Sequence, residues 1–322
     1  MAMSFLWESR GKRPMGWDRL KLLWDGNGTD KYVPWTTLDI ITNGLVSTLK
    51  KHDLAQKIVA YCGDNCNTNF GGVKRKGKSN VFSYLKKELG RNIVGVGCGA
   101  HIVHNCIQTA VDILPIEVES LVVNIYKYFH IYTVRVTQLK EFCEFMEIDY
   151  KKVLQHGSTR FLSLLPAIER ILQIYGLKSY FCSQEHCPLL IKIFFDNKCG
   201  EIYLRFVYGQ LGLFNKTILA MEKTKATATD IVLEIKKLKT NLRERRDNVF
   251  IPHGTKKVIK ALVENGECQE DLIKREFSRF YDCCLSYIEL WENSFGDSEQ
   301  FVWLAKSAFD WPDIEAAAEK IN

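Results

Sequence analysis

The sequence of 322 residues lacks any uninterrupted apolar run near the roughly 20 residues that a helix needs to cross a bilayer. Its N-terminal stretch, MAMSFLWESRGKRPMGWDRL, also lacks the apolar segment of a secretory signal peptide. Neither an internal repeat nor a low-complexity run is present. We therefore expect a soluble intracellular chain that has no membrane partner.

A disulfide framework is also missing, although cysteine is not rare. The eleven cysteines are odd in number and lie in apolar stretches such as IVGVGC and YDCCLSY. Secreted disulfide scaffolds carry even numbers of cysteines at regular spacings. The sequence therefore favours a reducing compartment, either the nucleus or the cytoplasm.

The composition is that of a globular protein. Hydrophobic residues make up 46% of the chain and aromatic residues 12%, which suffices for a packed core in one or two domains. The formal net charge of +6 is only mildly basic. This charge permits a polyanionic partner without requiring one.

Residues 1–35 are broken by glycine and proline, and we predict an irregular segment there. A helical pattern then begins at Thr36, with one apolar stripe of residues spaced by three and four: Leu38, Ile41, Leu45 and Leu49. The short apolar strands KIVAYCGD and NIVGVGC follow in turn. Between these strands lies SNVFSYLKKEL, a helix that Ser79 can cap. The helix HIVHNCIQTAVDIL comes next, and we expect it to be buried because it is apolar on most sides. Alternating helices and strands predict a parallel α/β layer.

After Pro115 the sequence predicts helices almost to its end. We expect helices over about 117–147 and 159–176, with Pro166 marking a kink or restart, and several more beyond residue 200. One later helix carries an apolar stripe that we expect to pack within this chain rather than in a dimer interface: Ile231, Ile235, Leu238 and Leu242. The predicted class is α/β, with short parallel strands followed by a mostly α-helical region.

The first candidate site is CGDNCNTNFGG, where Asp64 follows a predicted strand. Ligands in α/β folds bind at the carboxyl ends of strands, and a carboxylate there is a natural ligand for Mg²⁺ or Mn²⁺. The basic cluster beyond it could contact phosphodiesters. This cluster consists of Lys74, Arg75, Lys76 and Lys78. The alternative is that Asp64 caps a turn and that the basic loop is merely solvated.

The second candidate site is CGAHIVHNC, whose Cys98, His101 and Cys106 resemble half of a zinc site. A structural zinc needs a second close pair, and only the loosely spaced Cys62 and Cys66 could supply it, so we do not expect zinc.

A polar stripe runs along the same predicted helix, because His101, His104 and Gln108 are spaced by three and four residues. These side chains should face one polar surface, either as buried hydrogen-bonded groups or as support for a nearby metal. In the third stretch, HGSTRFLSLLPAIERIL, Arg160 could reach a phosphate or a carboxylate, or could pair on the surface.

Taken in order, these three stretches resemble proteins derived from hAT-superfamily DNA transposases, which have a ribonuclease H-like core. GDNCNTNFGG is similar to the segment that carries the second catalytic aspartate of that family. CGAHIVHN resembles its Cys-x-x-His motif, and STRFLSL resembles its Arg-Trp motif with Phe161 in place of tryptophan. The resemblance covers about residues 36–180 and implies a partial ribonuclease H-like core over 36–176, before an α-helical region over 177–322.

The resemblance also implies roles for individual residues. In the family, three acids hold two divalent metal ions, Mg²⁺ or Mn²⁺, against the scissile phosphate. Asp64 would be the second of these acids, with Cys98, His101 and His104 supporting the site. Arg160 and Phe161 would hold DNA near the break, alongside the basic cluster.

The sequence departs from the family at the first and third acids. Asp25 is the best candidate for the first, but only residues 26–35 remain for the two strands expected before the helix at Thr36. Glu289 and Glu292, in YIELWENSF, are the candidates for the third and follow no recognisable motif. The core therefore looks truncated at both ends.

We accordingly predict a catalytically decayed, transposon-derived protein of the nucleus, or alternatively the cytoplasm, that binds nucleic acid or protein. One alternative is an active, metal-dependent DNA strand-transfer enzyme, and another is a helical protein-interaction module formed from Leu177 onward. The predicted partners are DNA and a second copy of the chain or a related transposase-derived protein. No BED-type zinc finger is recognisable in the sequence, so sequence-specific DNA binding is not expected.

Overall fold

The protein is described here by a computed structural model. The structure describes residues 37–58, 60–72, 77–147, 149–157, 163–173, 175, 178–183, 187–223 and 226–292. Within these residues the chain is mostly helical and has one short, two-stranded parallel sheet. Two compact units divide between Cys98 and Gly99.

The first unit, described from residue 37 to residue 98, is a small α/β assembly. Its elements are α1 (Thr37–Lys51), β1 (Ala60–Gly63), α2 (Asn67–Phe70), α3 (Val81–Leu89) and β2 (Val94–Gly97). The two strands pair in parallel, with Ala60 opposite Val94 and Gly63 opposite Gly97. The predicted alternation of helices and parallel strands is therefore confirmed.

The core of the first unit lies between α1 and α3, which pack against each other. Its buried members are Val46, Leu49, Val81, Leu85, Leu89 and Ile93. The stripe predicted for α1 faces this core, with Leu38, Ile41 and Leu45 packed around the buried cluster. Spacing of three and four residues put these side chains on one helical face, as the sequence indicated.

The predicted cap of α3 is wrong by one residue. Asn80, not Ser79, is the N-cap, and its side-chain oxygen accepts a hydrogen bond from the Ser83 N–H at 2.9 Å. Asn80 is only 1% exposed, and its side-chain amide also donates to the Gly77 carbonyl. Both residue types are good caps, and the tertiary environment of Asn80 decides between them.

One face of the sheet is covered by three aromatic rings. The Phe70 ring lies 5.5 Å, centroid to centroid, from both Tyr61 and Phe82. A Cβ atom at Gly95 would lie 2.8 Å from the tip of the Phe82 ring and 3.0 Å from that of Phe70. The rings therefore rest directly on the β2 backbone, and a side chain at position 95 would clash with them.

In the described part of the second unit, residues 99–292, every regular element is a helix, and irregular segments such as 149–157 connect the helices. It contains α4 (Gly99–Asp112), α5 (Val118–His130), α6 (Thr133–Phe145), α7 (Leu164–Gln173), α8 (Lys178–Ser183), α9 (Leu189–Asp196), α10 (Gly200–Met221), α11 (Ala228–Asp247), α12 (His253–Glu264) and α13 (Glu270–Glu292). Helix α4 packs against α10, α11 and α13. The expectation that α4 would be buried is thus confirmed.

The helix predicted over 117–147 is two helices, α5 and α6. The chain breaks at Tyr132, whose backbone is extended (φ −125°, ψ 112°). The Arg135 guanidinium packs over the Tyr128 and Tyr132 rings, at 4.0 and 4.4 Å from their centroids, and thereby holds the corner. Pro166 does not kink α7, because it lies in the first turn, where no intrahelical partner for its missing N–H is needed.

The stripe on α11 packs inside the chain, as predicted. Ile235, Leu238 and Leu242 are buried, and α11 contacts α10, α13 and α4. Helices on both sides of residue 176 also pack together, since α7 contacts α10 and α5 contacts α9. The predicted division at residue 176 follows from the family resemblance and stays a prediction.

Candidate functional site

In the first unit, two motif residues lie at one edge of the sheet. Asp64 directly follows β1, and Cys98 directly follows β2. The Cys98 N–H donates to the Gly63 carbonyl at 2.8 Å, which extends the strand pairing by one residue. Because parallel strands end at the same edge, Asp64 and the first residue of the Cys-x-x-His stretch are brought together.

The Asp64 carboxylate is held by its own loop. Its Oδ1 atom accepts hydrogen bonds from the Asn69 side-chain amide at 2.7 Å and from the Cys66 N–H at 3.2 Å. The Tyr61 hydroxyl donates to Asn69 Oδ1 at 2.9 Å. Burial, and then the nearby Asp64 charge, raises the pKa of Tyr61. Asp64 therefore organises a turn, as a short acidic side chain after a strand commonly does.

Asn65 joins the two strand ends. Its side-chain amide donates to the Cys98 carbonyl at 3.0 Å. Among the described residues its Oδ1 atom is buried and has no hydrogen-bond partner. Buried amide oxygens normally accept a hydrogen bond, so this edge offers one open acceptor beside Asp64. Gly71 and Gly72 complete the loop with φ of 74° and 84°, which glycine adopts without strain.

Several predicted site residues fall outside the described part of the chain. These residues are Asp25, Lys74, Arg75, Lys76, Arg160 and Phe161. Lys78 of the basic cluster does lie among the described residues, and its side chain is exposed. Their predicted contacts with metal, phosphate or DNA stay predictions.

The second unit contains a polar network that begins on the predicted stripe of α4. Gln108 donates to Glu119 Oε2 on α5 at 3.2 Å. The other carboxylate oxygen of Glu119 lies 3.5 Å from His156 Nε2. Gln108, one member of the stripe, therefore contacts a polar surface that includes a carboxylate and a histidine.

His156 continues the network to α7. Its side chain is fully buried, and its Nδ1 atom lies 2.8 Å from the Ser163 hydroxyl. The Gly157 N–H donates to the same hydroxyl oxygen at 3.2 Å. Because the Glu119 carboxylate, which can only accept when ionised, faces Nε2, we assign the imidazole proton to Nε2, and Nδ1 then accepts from the Ser163 hydroxyl.

His104 lies beside this network, whereas His101 is exposed. Burial lowers the pKa of His104, and the neighbouring His101 and His156 lower it further. Burial likewise lowers the pKa of His156, although Glu119 opposes the shift. Both effects favour uncharged imidazoles. A supporting role near a metal stays a prediction for His101 and His104.

Glu119, His156 and Ser163 were not singled out from the sequence. His156 and Ser163 flank the Arg-Phe motif in HGSTRFLSL, so their proximity to a motif was the available signal. Glu119 offered no such signal, because its contact with His156 joins residues far apart along the chain. The structure thus links helix α4 and the stretch HGSTRFLSL through Glu119, which belongs to neither.

The candidates for a third acid are engaged with cations of α11. Glu289 lies 3.2 Å from both Lys239 and Arg243, and Glu292 also pairs with Lys239. The hydrogen bond from Lys239 lowers the pKa of Glu289. Within the described ranges, no cluster of three or more His, Cys, Asp or Glu side chains is arranged to hold a metal ion.

Comparisons with models of protein families, with curated proteins and with solved structures gave no significant match. None of the helices in the described part is both long and apolar enough to cross a membrane.

Proposed function

We propose that this chain derives from a hAT-superfamily transposase with a ribonuclease H-like core, and that it now binds nucleic acid or a protein without cutting DNA. The main support is the strand edge at which Asp64 and Cys98 meet. Two motif residues that are 34 positions apart follow neighbouring parallel strands there. This edge is where ligand sites occur in α/β sheets.

The contacts made by the candidate catalytic acids support the proposal that this chain does not cut DNA. One oxygen of Asp64 accepts two hydrogen bonds from its own loop, and Glu289 and Glu292 pair with α11. Two-metal catalysis requires several carboxylates directed at a shared pair of Mg²⁺ or Mn²⁺ ions. A carboxylate that is already neutralised by lysine and arginine is a poor ligand for a second cation.

The first test is nicking of supercoiled plasmid by the purified protein in Mg²⁺ and in Mn²⁺. We expect no nicking by a well-folded wild type. Asp64→Asn is the matched control, because it keeps the side-chain volume and removes the charge. Nicking that disappears in this variant would contradict the proposal and favour the alternative, an active metal-dependent nuclease or strand-transfer enzyme.

Nucleic-acid binding is tested with a fluorescent DNA duplex over a range of salt concentrations. Replacing Lys74, Arg75 and Lys76 together by alanine should weaken binding and reduce the salt slope by about 2 to 3, since each lost phosphate contact contributes about 0.9. The matched control removes three charges elsewhere, by alanine substitution of Lys256, Lys257 and Lys260 on α12. Equal weakening by both triple variants would show that only net charge matters.

A second candidate function is protein interaction through an exposed apolar corner between α5 and α6, which lies before the region from Leu177 onward where the sequence predicted an interaction module. Ile131, Tyr132 and Val134 are 64%, 54% and 66% exposed there. Exposed apolar groups that adjoin one another mark interaction surfaces. If this corner mediates self-association, Val134→Asp should abolish any oligomer seen by sedimentation, whereas Leu219→Asp on α10, at a site 56% exposed, should not.

A further inference from the structure

Two cysteines of the second unit meet across a long sequence separation. Cys199 immediately precedes α10, and Cys268 lies two residues before α13. Both thiols are free and half-buried. The two thiols are neighbours, since Cys199 contributes to the raised pKa of Cys268. Together they line an open cavity of about 290 Å³ with Tyr203, Glu267 and Ile273, so a small reagent can approach them.

Neighbouring contacts hold the two cysteines in position. Lys198 and Glu267, the residues just before them, form an ion pair at 2.5 Å. The Tyr203 hydroxyl donates to Glu276, which joins α10 and α13 on the other side. Phe206 and Phe277 also stack, with ring centroids 3.7 Å apart. These three contacts join the N-terminal parts of α10 and α13 and the residues before them, and so hold the two cysteine-bearing segments together.

Another pair of neighbouring cysteines differs from this one because solvent cannot reach it. Cys106 and Cys284 also lie close together, since the Cys106 thiol donates to the Cys284 carbonyl at 3.3 Å. Both are fully buried. A dissolved oxidant cannot reach them without local unfolding. Cys199 and Cys268 combine mutual proximity with a solvent-connected cavity.

We propose that Cys199 and Cys268 are a redox-modification site, and that a low-molecular-weight disulfide such as glutathione disulfide converts them into a reversible intramolecular disulfide. The bond would link the starts of α10 and α13. It would close a loop between residues 69 positions apart. The inference is independent of transposase ancestry and of DNA binding.

The order of the two steps follows from the surroundings of each thiol. Burial and the adjacent Cys199 raise the pKa of Cys268 to about 11. Such a high pKa leaves Cys268 largely as the thiol, which does not attack a disulfide. Cys199 is therefore the first nucleophile. Once Cys199 is in a mixed disulfide, its own thiol no longer contributes to the raised pKa of Cys268.

The chemistry balances with one glutathione disulfide per bond. The Cys199 thiolate attacks one sulfur of glutathione disulfide, which breaks that S–S bond and releases one glutathione thiolate. The Cys268 thiolate then attacks the Cys199 sulfur and displaces the second glutathione. The two cysteine protons leave on the two glutathione thiols. The two protein thiols are oxidised, and the glutathione disulfide is reduced.

The test is oxidation of the full chain in glutathione buffers of graded ratio, followed by alkylation and peptide mass spectrometry. We expect a cross-linked peptide that contains Cys199 and Cys268. The Tm should rise on the order of 5–10 °C, because a long loop is closed in the unfolded chain, and dithiothreitol should reverse the shift. Alkylation of both thiols throughout the oxidising range would overturn the proposal, as would pairing of either with another cysteine.

Two serine variants complete the experiment. Cys268→Ser should lose the cross-link and the Tm rise, and should retain a stable mixed disulfide of glutathione at Cys199. Cys66→Ser, which alters an exposed cysteine of the first unit, should keep both the cross-link and the shift. Peptide mapping of the wild type does not depend on either variant, so a folding defect in one of them would not obscure the result.

Discussion

The two units of the chain differ in how they are held together. Among the twelve largest fully buried side chains of the described part, only Phe70 belongs to the first unit. The other eleven lie in the helical unit, where rings such as Phe206 and Phe277 stack on each other. Buried apolar area is the main source of stability, so the helical unit holds most of it. The strand-end motif residues belong to the unit with the smaller core.

The units also differ in how far apart in sequence their polar partners lie. Asp64 bonds to Cys66 and Asn69, all within one loop. In the helical unit Glu119 approaches His156, which is 37 positions later. Polar contacts within one loop can be read from residue types, whereas distant ones depend on how helices pack. The four changes below test this contrast, from the largest expected effect to the smallest.

Removing a core ring of the helical unit should have the largest effect. Phe206→Ala deletes a fully buried ring that stacks on Phe277 at 3.7 Å, and should lower the free energy of unfolding by about 3–5 kcal/mol. Phe82→Ala in the first unit removes a ring that is only partly buried, and should cost less. Chemical denaturation measures both. Equal losses would contradict the contrast between the two cores.

Filling the space at Gly95 should disturb the first unit. Gly95→Val places methyl groups where even a Cβ atom would lie 2.8 Å from Phe82, and should cost about 1–3 kcal/mol of unfolding free energy. Gly44→Ala is the matched control in α1, because no atom lies within 4 Å of its new Cβ. That control should stabilise the protein by about 0.5–1 kcal/mol through helix propensity. Thermal denaturation of the two variants should thus show shifts of opposite sign.

Loss of a helix N-cap should lower the free energy of unfolding in each unit, by less than the loss of a core ring. Thr227 accepts from the Asp230 N–H at 3.2 Å, and the Asp230 carboxylate accepts from the Thr227 N–H at 2.8 Å. Thr227→Ala should therefore cost about 1 kcal/mol of unfolding free energy. Asn80→Ala should cost more, because this cap is buried and also bonds to Gly77. A smaller loss for Asn80→Ala in urea denaturation would contradict this order.

The smallest expected effect is a change in the pH dependence of stability. Burial lowers the pKa of His156 and of His104 from the ordinary 6.5. His101 lowers the pKa of His104 further, and Glu119 opposes the shift of His156. The unfolded chain therefore takes up protons first as pH falls. The contribution of these two histidines to the free energy of unfolding is fully present above about pH 6.5. It is lost as the pH falls from there through their lower folded-state pKa values.

This pH dependence is measured as Tm between pH 7.5 and pH 5. Each histidine can contribute a slope of at most about 1.4 kcal/mol per pH unit. His156→Gln should lower Tm at pH 7.5, because Ser163 and Glu119 lose a partner, and should make the decline toward pH 5 shallower. An unchanged decline in the variant would show that His156 does not titrate in this window.

The sequence predicted most of the first unit because its signals are local. The stripe of α1, both short strands and their parallel pairing follow from apolar spacing and from the alternation of helix and strand. The errors occurred where two local options were nearly equal. Ser79 and Asn80 are both good caps, and the break at Tyr132 interrupts a pattern that favoured one helix.

The candidate sites were predictable to different degrees. Asp64 and Cys98 could be placed at one edge because each follows a strand, and parallel strands end together. Glu119, His156, Cys199 and Cys268 could not be paired from the sequence. Their contacts depend on the packing of helices that lie far apart along the chain.

The sequence by itself determined the periodicity of the helices, the two strands and the position of Asp64 after the first of them. These features depend on neighbours within a few residues, so backbone geometry and residue type are enough to set them. Only the tertiary structure decided that Asp64 is held by its loop, that the α4 stripe reaches His156 through Glu119, and that Cys199 meets Cys268. Such contacts form when buried helix faces select one packing arrangement, and no local pattern encodes which polar groups that arrangement brings together.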